Sequence, residues 1–143
     1  MKKTSLHNQI FKVIFSIIIA IGLLMLMVTA GRKNGTAITL TEQSKKENDD
    51  TQSFSFEKTE KNTYLIHPRG SKLVFNVTEG KSGSRVICWT NSAKTNEEWV
   101  IEPSGDGYVF HLKNYPDLCL TQSSKSLTIQ KESGKDDQVF ILK

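Results

Sequence analysis

The chain has 143 residues, a length that fits one domain with an appendage and excludes a large multidomain enzyme. Its 19 Lys and Arg residues outnumber 15 Asp and Glu residues, but three of the bases lie in the first thirty residues, which contain no acid. Without those three, 16 bases face 15 acids. Because a surface that binds phosphate backbones needs a basic excess in the folded part, we expect no nucleic-acid partner.

The first feature along the chain is an apolar run. Residues 13–30 (VIFSIIIAIGLLMLMVTA) contain no charge and follow a basic start. The run approaches the ~20 apolar residues that cross a bilayer as a helix, and Val28-Thr29-Ala30 has the small-residue spacing of a signal-peptidase site. We therefore expect residues 1–30 to form a signal peptide or an N-terminal membrane anchor, as a helix. The alternative is a pair of very apolar buried strands.

The rest of the chain predicts β-strands. After Gly31 the sequence has short apolar alternations, such as Leu73-Val74-Phe75-Asn76-Val77. Clusters of Gly, Ser, Asn, Asp and Pro separate them, as in Ser104-Gly105-Asp106-Gly107. Many short strands at such spacing predict an all-β domain over residues 31–143.

Three stretches of this part repeat one another: residues 37–58, 85–103 and 126–143. Each reads as a strand, an acidic loop, and Gln or Glu two residues before a large aromatic residue. These marker pairs are Gln52/Phe54, Glu97/Trp99 and Gln138/Phe140, which are 45 and 41 residues apart. Residues 28–40 also echo residues 77–88, so the repeat begins inside the apolar run.

This pattern resembles the ricin B chain type β-trefoil lectin domain, whose repeats carry a Q-x-W motif and a C-L-D-V strand. The first motif is present as QSF, EEW and QVF, and the second as LMV (26–28), FNV (75–77) and CLT (119–121). The resemblance covers residues 26–143 and implies a β-trefoil of three degenerate repeats. The first repeat is incomplete, because its opening half falls in the apolar run.

The three aromatic markers have a structural role in this interpretation. Large apolar residues at equivalent positions of a threefold barrel fill one shared core, so we expect Phe54, Trp99 and Phe140 to meet there. The polar residue two positions before each of them is expected to hydrogen-bond the backbone of its own loop.

The sequence offers no pattern typical of catalysis or of a metal or cofactor site. His67 and His111 occupy equivalent repeat positions, which indicates a feature of the strands. The paired acids of the three repeats share one turn, so we expect solvated turn residues at Asp49/Asp50, Glu97/Glu98 and Asp136/Asp137. We therefore expect a protein without enzymatic activity and without a cofactor.

The two cysteines leave alternatives open. Export would permit a disulfide between Cys88 and Cys119. Cys119 matches the cysteine of C-L-D-V, which in the family pairs within its own repeat, but no partner cysteine follows it here. The alternation places Cys88 at an inward position, where a small buried apolar residue is expected.

A sugar site follows from the resemblance. Ricin-type sites combine an acidic or amide side chain, a stacking aromatic residue and an Asn. Carried to the second repeat, these roles fall on Asn76, Trp89 and Asn96. At the positions of Asn76 and Trp89, the first repeat has Met27 and Thr41, and the third has Thr121 and Gln130. Both of these repeats therefore lack the aromatic residue. The alternative for Trp89 is a core or interface position.

These expectations add up to a lectin-like module that binds carbohydrate without catalysis. Its partners would be glycans or glycoproteins, together with a membrane through the N-terminal helix, and its location extracellular, secreted or membrane-anchored. The alternative is a protein-interaction or surface-structural β-trefoil that has lost sugar binding.

Overall fold

The computed structural model describes residues 6–7, 9–19, 22–42, 44–45, 49–92 and 95–143. Among them it contains fourteen β-strands, three short 3-10 helices and no α-helix. The all-β prediction is therefore confirmed.

The strands follow one another along the chain with short connections. They are β1 (Ile10–Phe11), β2 (Val13–Ile19), β3 (Gly22–Thr29), β4 (Thr36–Ala37), β5 (Thr39–Thr41), β6 (Phe54–Lys58), β7 (Tyr64–Pro68), β8 (Leu73–Val77), β9 (Val86–Thr90), β10 (Trp99–Ser104), β11 (Gly107–Leu112), β12 (Tyr115–Ser123), β13 (Ser126–Lys131) and β14 (Ile141–Leu142). The 3-10 helices are Asp50–Gln52, Thr95–Glu97 and Asp136–Gln138.

Strand pairing shows the three repeats directly. Strands β6 to β9 form one repeat and β10 to β13 the next, each opening with an antiparallel pair, β6 with β7 and β10 with β11. The third such pair joins the two ends of the chain, because C-terminal β14 pairs with β2, with Ile141 opposite Ile14. Thus β14 supplies the opening strand of the repeat that contains β2 to β5. This is the three-repeat architecture expected of a β-trefoil.

The predicted N-terminal helix is wrong. The apolar run forms β2 and β3, which pair from Ile14 opposite Met27 to Ile19 opposite Gly22. The sequence of β2, VIFSIII, is mostly Ile and Val, and branching at Cβ favours extended backbone over helix. No helix among the described residues is long and apolar enough to cross a membrane.

Both strands of this hairpin contribute to the core. Val13, Met27 and Val28 are buried, and β3 continues into the barrel by pairing with β5. The division of the chain into residues 1–30 and 31–143 stays a prediction. A cut at residue 30 would separate β3 from β5.

The three aromatic markers meet in one core, as predicted. Phe54, Trp99 and Phe140 have no exposed surface and belong to a single hydrophobic cluster. Phe54 contacts Phe75 edge to face, with ring centroids 5.3 Å apart. Each repeat therefore sends one large side chain to the common centre, and this shared burial holds the repeats together.

Candidate functional site

Asn76 lies on β8 and is half-buried. Its amide nitrogen Nδ2 donates a hydrogen bond of 3.1 Å to Oε2 of Glu97. Because a carboxylate accepts hydrogen bonds and does not donate them, the nitrogen of the amide must face Glu97 and the oxygen Oδ1 must face away. No described residue donates to Oδ1 of Asn76, so this acceptor is available to a ligand.

Trp89 lies on β9 and is 44% exposed, so it is not a core residue. It stands opposite Val74, while Asn76 stands opposite Ile87. Trp89 and Asn76 are therefore diagonal neighbours on one face of the β8–β9 pair, about 7–8 Å apart at their backbones. The indole passes over the turn before β4, where its Cζ3 atom would lie 3.4 Å from a Cβ atom added to Gly35.

Asn96 belongs to the 3-10 helix Thr95–Glu97, which follows β9. Its Nδ2 atom donates to the carbonyl oxygen of Val77 at the end of β8, over 3.5 Å. The structure thus brings Asn96 and Asn76 together at the end of β8, through Glu97 and Val77. Trp89 lies on β9, the strand that pairs with β8.

Glu97 joins this site through a contact with Asn76 that the sequence did not predict. It is fully buried, and its carboxylate accepts hydrogen bonds from the backbone N–H of Ser92 (2.9 Å to Oε1) as well as from Asn76. A buried charge is costly unless it is hydrogen-bonded in this way. The prediction that the polar marker residue binds its own loop is confirmed here.

The prediction of a solvated acidic pair is wrong for the second repeat. Beside the buried Glu97, Glu98 accepts a hydrogen bond of 3.1 Å from the hydroxyl of Thr63 and lies 3.6 Å from Nζ of Lys113. Both carboxylates therefore bind protein groups. Thr63 and Lys113, the partners of Glu98, lie on segments distant from it in sequence.

The marker residues of the other two repeats are also hydrogen-bonded to their loops. Oε1 of Gln52 accepts from the N–H of Ser44 (2.9 Å), and Oε1 of Gln138 accepts from the N–H of Ser133 (2.8 Å). Their Nε2 atoms donate to backbone carbonyls and to threonine hydroxyls. These belong to Thr29 and Thr41 for Gln52, and to Thr121 for Gln138 (3.1 Å).

Strand pairing corrects the alignment of the first repeat. Asn76 and Thr121 contact the marker side chain from the strand positions opposite Ile87 and Thr128. In the first repeat the equivalent position is Thr29, opposite Thr39, and its hydroxyl lies 3.3 Å from Nε2 of Gln52. Met27, which the sequence alignment placed there, is buried in the core. The sequence alignment of the first repeat was therefore two residues out of register.

The third repeat forms a polar cavity at the place that corresponds to the Asn76–Trp89 face. The cavity has a volume of about 300 Å³, and Thr121, Gln130, Asp137 and Gln138 are among the residues that line it. Oδ1 of Asp137 is buried and has no hydrogen-bond partner among the described residues. Gln130 stands where Trp89 stands in the second repeat, so this cavity lacks an aromatic residue at that position.

The histidines act as strand features, as predicted. Nδ1 of His67 bonds the carbonyl oxygen of Leu73 and Nδ1 of His111 that of Pro116, each over 3.0 Å. Nε2 of His67 also lies 2.7 Å from a carboxylate oxygen of Glu57. Both histidines thereby tie one strand of their repeat to the segment that follows it.

The cysteines are both free and buried. Burial raises the pKa of Cys88 to about 12, although the Arg32 guanidinium opposes the rise. Burial likewise raises the pKa of Cys119 to about 11, with added repulsion from Glu132 and Asp137. Since the thiolate is the nucleophile and the metal-binding form, neither thiol is suited to catalysis.

Comparison with known proteins identifies the family. The sequence profile of the family described as "Ricin-type beta-trefoil lectin domain-like" matches residues 50–141, which is more than half of the chain. The chain belongs to this family. The resemblance found in the marker motifs is thus confirmed, and the ricin-type match includes Asn76, Trp89 and Asn96. No curated relative matches the chain by sequence.

Solved structures share the ricin-type fold over almost the whole chain. The Rhizoctonia solani agglutinin has a TM-score of 0.75 at 14% identity, covering 99% of this chain and 98% of that chain. The ricin B-like lectin of Macrolepiota procera, solved in complex with lactose, has a TM-score of 0.73 at 11% identity with the same coverage, 99% and 98%.

Other structural matches are parts of longer chains. The Polyporus squamosus lectin, solved bound to a sialylated epitope, has a TM-score of 0.73 at 13% identity, and the match covers 95% of this chain but 49% of that chain. A mosquitocidal holotoxin has a TM-score of 0.76 at 17% identity, with coverage of 95% and 17%. The same fold therefore occurs alone and within larger proteins.

Proposed function

We propose that this ricin-type module binds a glycan through its second repeat and has no catalytic activity of its own. Trp89 stacks on the apolar face of a pyranose ring, while Asn76 and Asn96 hold its hydroxyl groups. The observation that carries the proposal is the 44% exposure of Trp89 on the face where Oδ1 of Asn76 points away from Glu97.

The chemistry of sugars fits this pair of groups. A pyranose has an apolar C–H face and a polar rim, so it is recognised by an aromatic ring together with hydrogen-bonding side chains. Trp89 offers the ring, and Asn76 offers an amide oxygen beside it. The corresponding residues of the first repeat, Thr41 and Thr29, offer hydroxyls without an aromatic surface.

The relatives support glycans as the ligand class. The Macrolepiota procera lectin was solved with lactose and the Polyporus squamosus lectin with a sialylated trisaccharide. These proteins share the fold at low identity, so the sugar that this chain prefers is a matter for experiment. Defined mono- and disaccharides that include lactose are the first probes.

The affinity of a single site should be weak. One stacked ring and two amides form a small number of interactions, and the ordering of the ligand offsets part of their free energy. We expect dissociation constants in the millimolar range, which correspond to about −4 kcal/mol. An assay that displays many copies of the protein on a surface or bead increases the signal through avidity.

A glycan array tests the proposal with the full chain displayed multivalently. We expect Trp89→Ala to abolish binding and to leave the unfolding temperature unchanged, since the ring is at the surface. Gln130→Ala is the matched control, because it alters the corresponding position of the third repeat. Loss of binding in the control and not in Trp89→Ala would move the site to the third-repeat cavity.

The second candidate function is a protein-interaction or surface-structural module. It becomes the better account if the unmutated chain binds no glycan on the array or at millimolar concentration in solution. The location of the protein outside the cell stays a prediction, which fractionation of the source cells tests. The apolar run no longer supports it, because that run forms β2 and β3.

A further inference from the structure

The second repeat differs from the other two in the direction of one hydrogen bond. In the first and third repeats the marker residue is Gln, and its Nε2 atom donates to a threonine hydroxyl, that of Thr29 (3.3 Å) or Thr121 (3.1 Å). In the second repeat the marker is Glu97, which accepts from Nδ2 of Asn76 (3.1 Å). The donor and the acceptor have exchanged places.

The exchange changes what each repeat shows to a ligand. The hydroxyl of Thr121 accepts from Gln138 and donates to the carbonyl oxygen of Cys119 (2.9 Å), so its proton is used within the protein. The residue is also buried, with 4% of its surface exposed. The nitrogen of Asn76 donates inward to Glu97, whereas its oxygen Oδ1 receives no hydrogen bond from any residue that the structure describes.

The carboxylate fixes this orientation. An amide can turn by half a rotation and exchange its oxygen and nitrogen, and a neutral neighbour that both donates and accepts would permit either arrangement. Glu97 accepts from Ser92 and from Asn76, and as a carboxylate it has no proton to donate. An amide oxygen turned toward it would meet a negative charge at close range, so Asn76 is restricted to one orientation.

We propose that Glu97 is a positioning residue that holds the oxygen of Asn76 toward the ligand, so that the second repeat presents a neutral acceptor to a sugar hydroxyl. The inference rests on the proposed function for its ligand. The negative charge stays buried behind Asn76, and the ligand meets an uncharged amide. A ligand group that donates a hydrogen bond is therefore favoured at this position over one that only accepts.

Substitutions that exchange the amide and the carboxylate between positions 76 and 97 test this role. In Glu97→Gln, the marker gains a donor, and the amide of Asn76 must turn its oxygen inward and its nitrogen outward. In Asn76→Asp, two carboxylates face each other. The double variant Asn76→Asp/Glu97→Gln restores a matched pair, with Gln donating inward and an acceptor oxygen again facing outward. Gln already occupies this position in the other two repeats, so it fits the loop.

Affinity and unfolding temperature are measured for all four proteins with a panel of mono- and disaccharides that includes lactose. We expect Glu97→Gln to bind about tenfold more weakly, which is the effect of one hydrogen bond. Asn76→Asp should bind weakly and unfold at a lower temperature. The double variant should recover both properties and bind at least as tightly as the unmutated chain, because a charged acceptor forms the stronger hydrogen bond.

The outcomes separate this inference from the proposed function. If the unmutated chain binds the panel and Glu97→Gln binds equally well, or if the double variant stays as weak as Asn76→Asp, the positioning role is wrong and the lectin function stands. If the unmutated chain binds none of the panel, the lectin function fails. The unfolding temperatures then still show whether residues 76 and 97 interact directly, since only a direct interaction lets Glu97→Gln offset the loss of stability that Asn76→Asp causes.

Discussion

The indole nitrogen of Trp99 donates a hydrogen bond of 3.3 Å to the carbonyl oxygen of Phe75, in the centre of the barrel. Trp99 begins β10, and Phe75 lies on β8. The aromatic marker of the second repeat therefore fills the shared core and also donates to a backbone carbonyl of β8. Phe54 and Phe140 fill the same core without a polar atom.

This relationship predicts the cost of changing Trp99. Trp99→Ala should lower the free energy of unfolding by about 3–5 kcal/mol, as should Phe54→Ala and Phe140→Ala, because each leaves a cavity in the common core. Trp99→Phe keeps most of the volume but leaves the carbonyl of Phe75 unpaired, so we expect a loss of about 1–3 kcal/mol. Urea unfolding measures these values. Near-neutral effects at two of the three alanine variants would contradict the shared core.

The β2–β3 hairpin predicts the effect of truncation. Removal of residues 1–30 deletes the partners of β14 and β5 together with Val13, Met27 and Val28 of the core. We expect the fragment 31–143 to lack a cooperative unfolding transition. Removal of residues 1–5 is the control, since it precedes Leu6, the first buried residue described. A soluble 31–143 fragment that unfolds cooperatively would show that the domain begins after residue 30.

The raised thiol pKa values predict how stability changes at alkaline pH. Unfolded thiols ionise from their ordinary value of 9.0, whereas burial keeps Cys88 protonated up to about 12. Above pH 9 the folded state therefore binds more protons than the unfolded state, and stability falls as pH rises, by up to about 1.4 kcal/mol per pH unit for each thiol.

Urea unfolding between neutral and alkaline pH checks this dependence. Cys88→Ala removes one of the two thiols, and we expect the decline of its unfolding free energy above pH 9 to be shallower than that of the unmutated chain. The cavity that the substitution creates lowers the unfolding free energy by the same amount at every pH, so it does not affect the slope of unfolding free energy against pH. Equal slopes would show that Cys88 ionises in the folded protein as readily as in the unfolded one.

The sequence predicted the repeats because their landmarks are local. Gln or Glu two residues before a large aromatic residue recurs at a regular spacing, and the core positions of Phe54, Trp99 and Phe140 follow from it. The apolar run 13–30 contains only Ser16 and Thr29 as polar residues, too few to mark an alternating or a helical period, so its length indicated a helix. What makes it a hairpin is pairing with β5 and with β14 at the far end of the chain, and neither contact is local.

The site was predictable only in part, for a similar reason. Asn76, Trp89 and Asn96 follow from the family motif, and their strand positions put Asn76 and Trp89 on one face. The burial of Glu97 and its bond to Asn76 depend on how the 3-10 helix Thr95–Glu97 folds against β8. From sequence alone, a charged residue in a polar loop is predicted to be solvated, because the packing of the 3-10 helix against β8 is not visible there.

The most direct test of the central claim uses the difference between the two tryptophans of the chain, Trp89 at 44% exposure and Trp99 at 0%. Each gives one indole N–H signal in a proton–nitrogen NMR spectrum, and Trp89→Phe assigns them. Titration with lactose and with the glycan of highest array signal should shift the Trp89 signal with a millimolar dissociation constant and leave the Trp99 signal in place. An unchanged Trp89 signal while an array glycan binds, or no binding at all, would contradict the account.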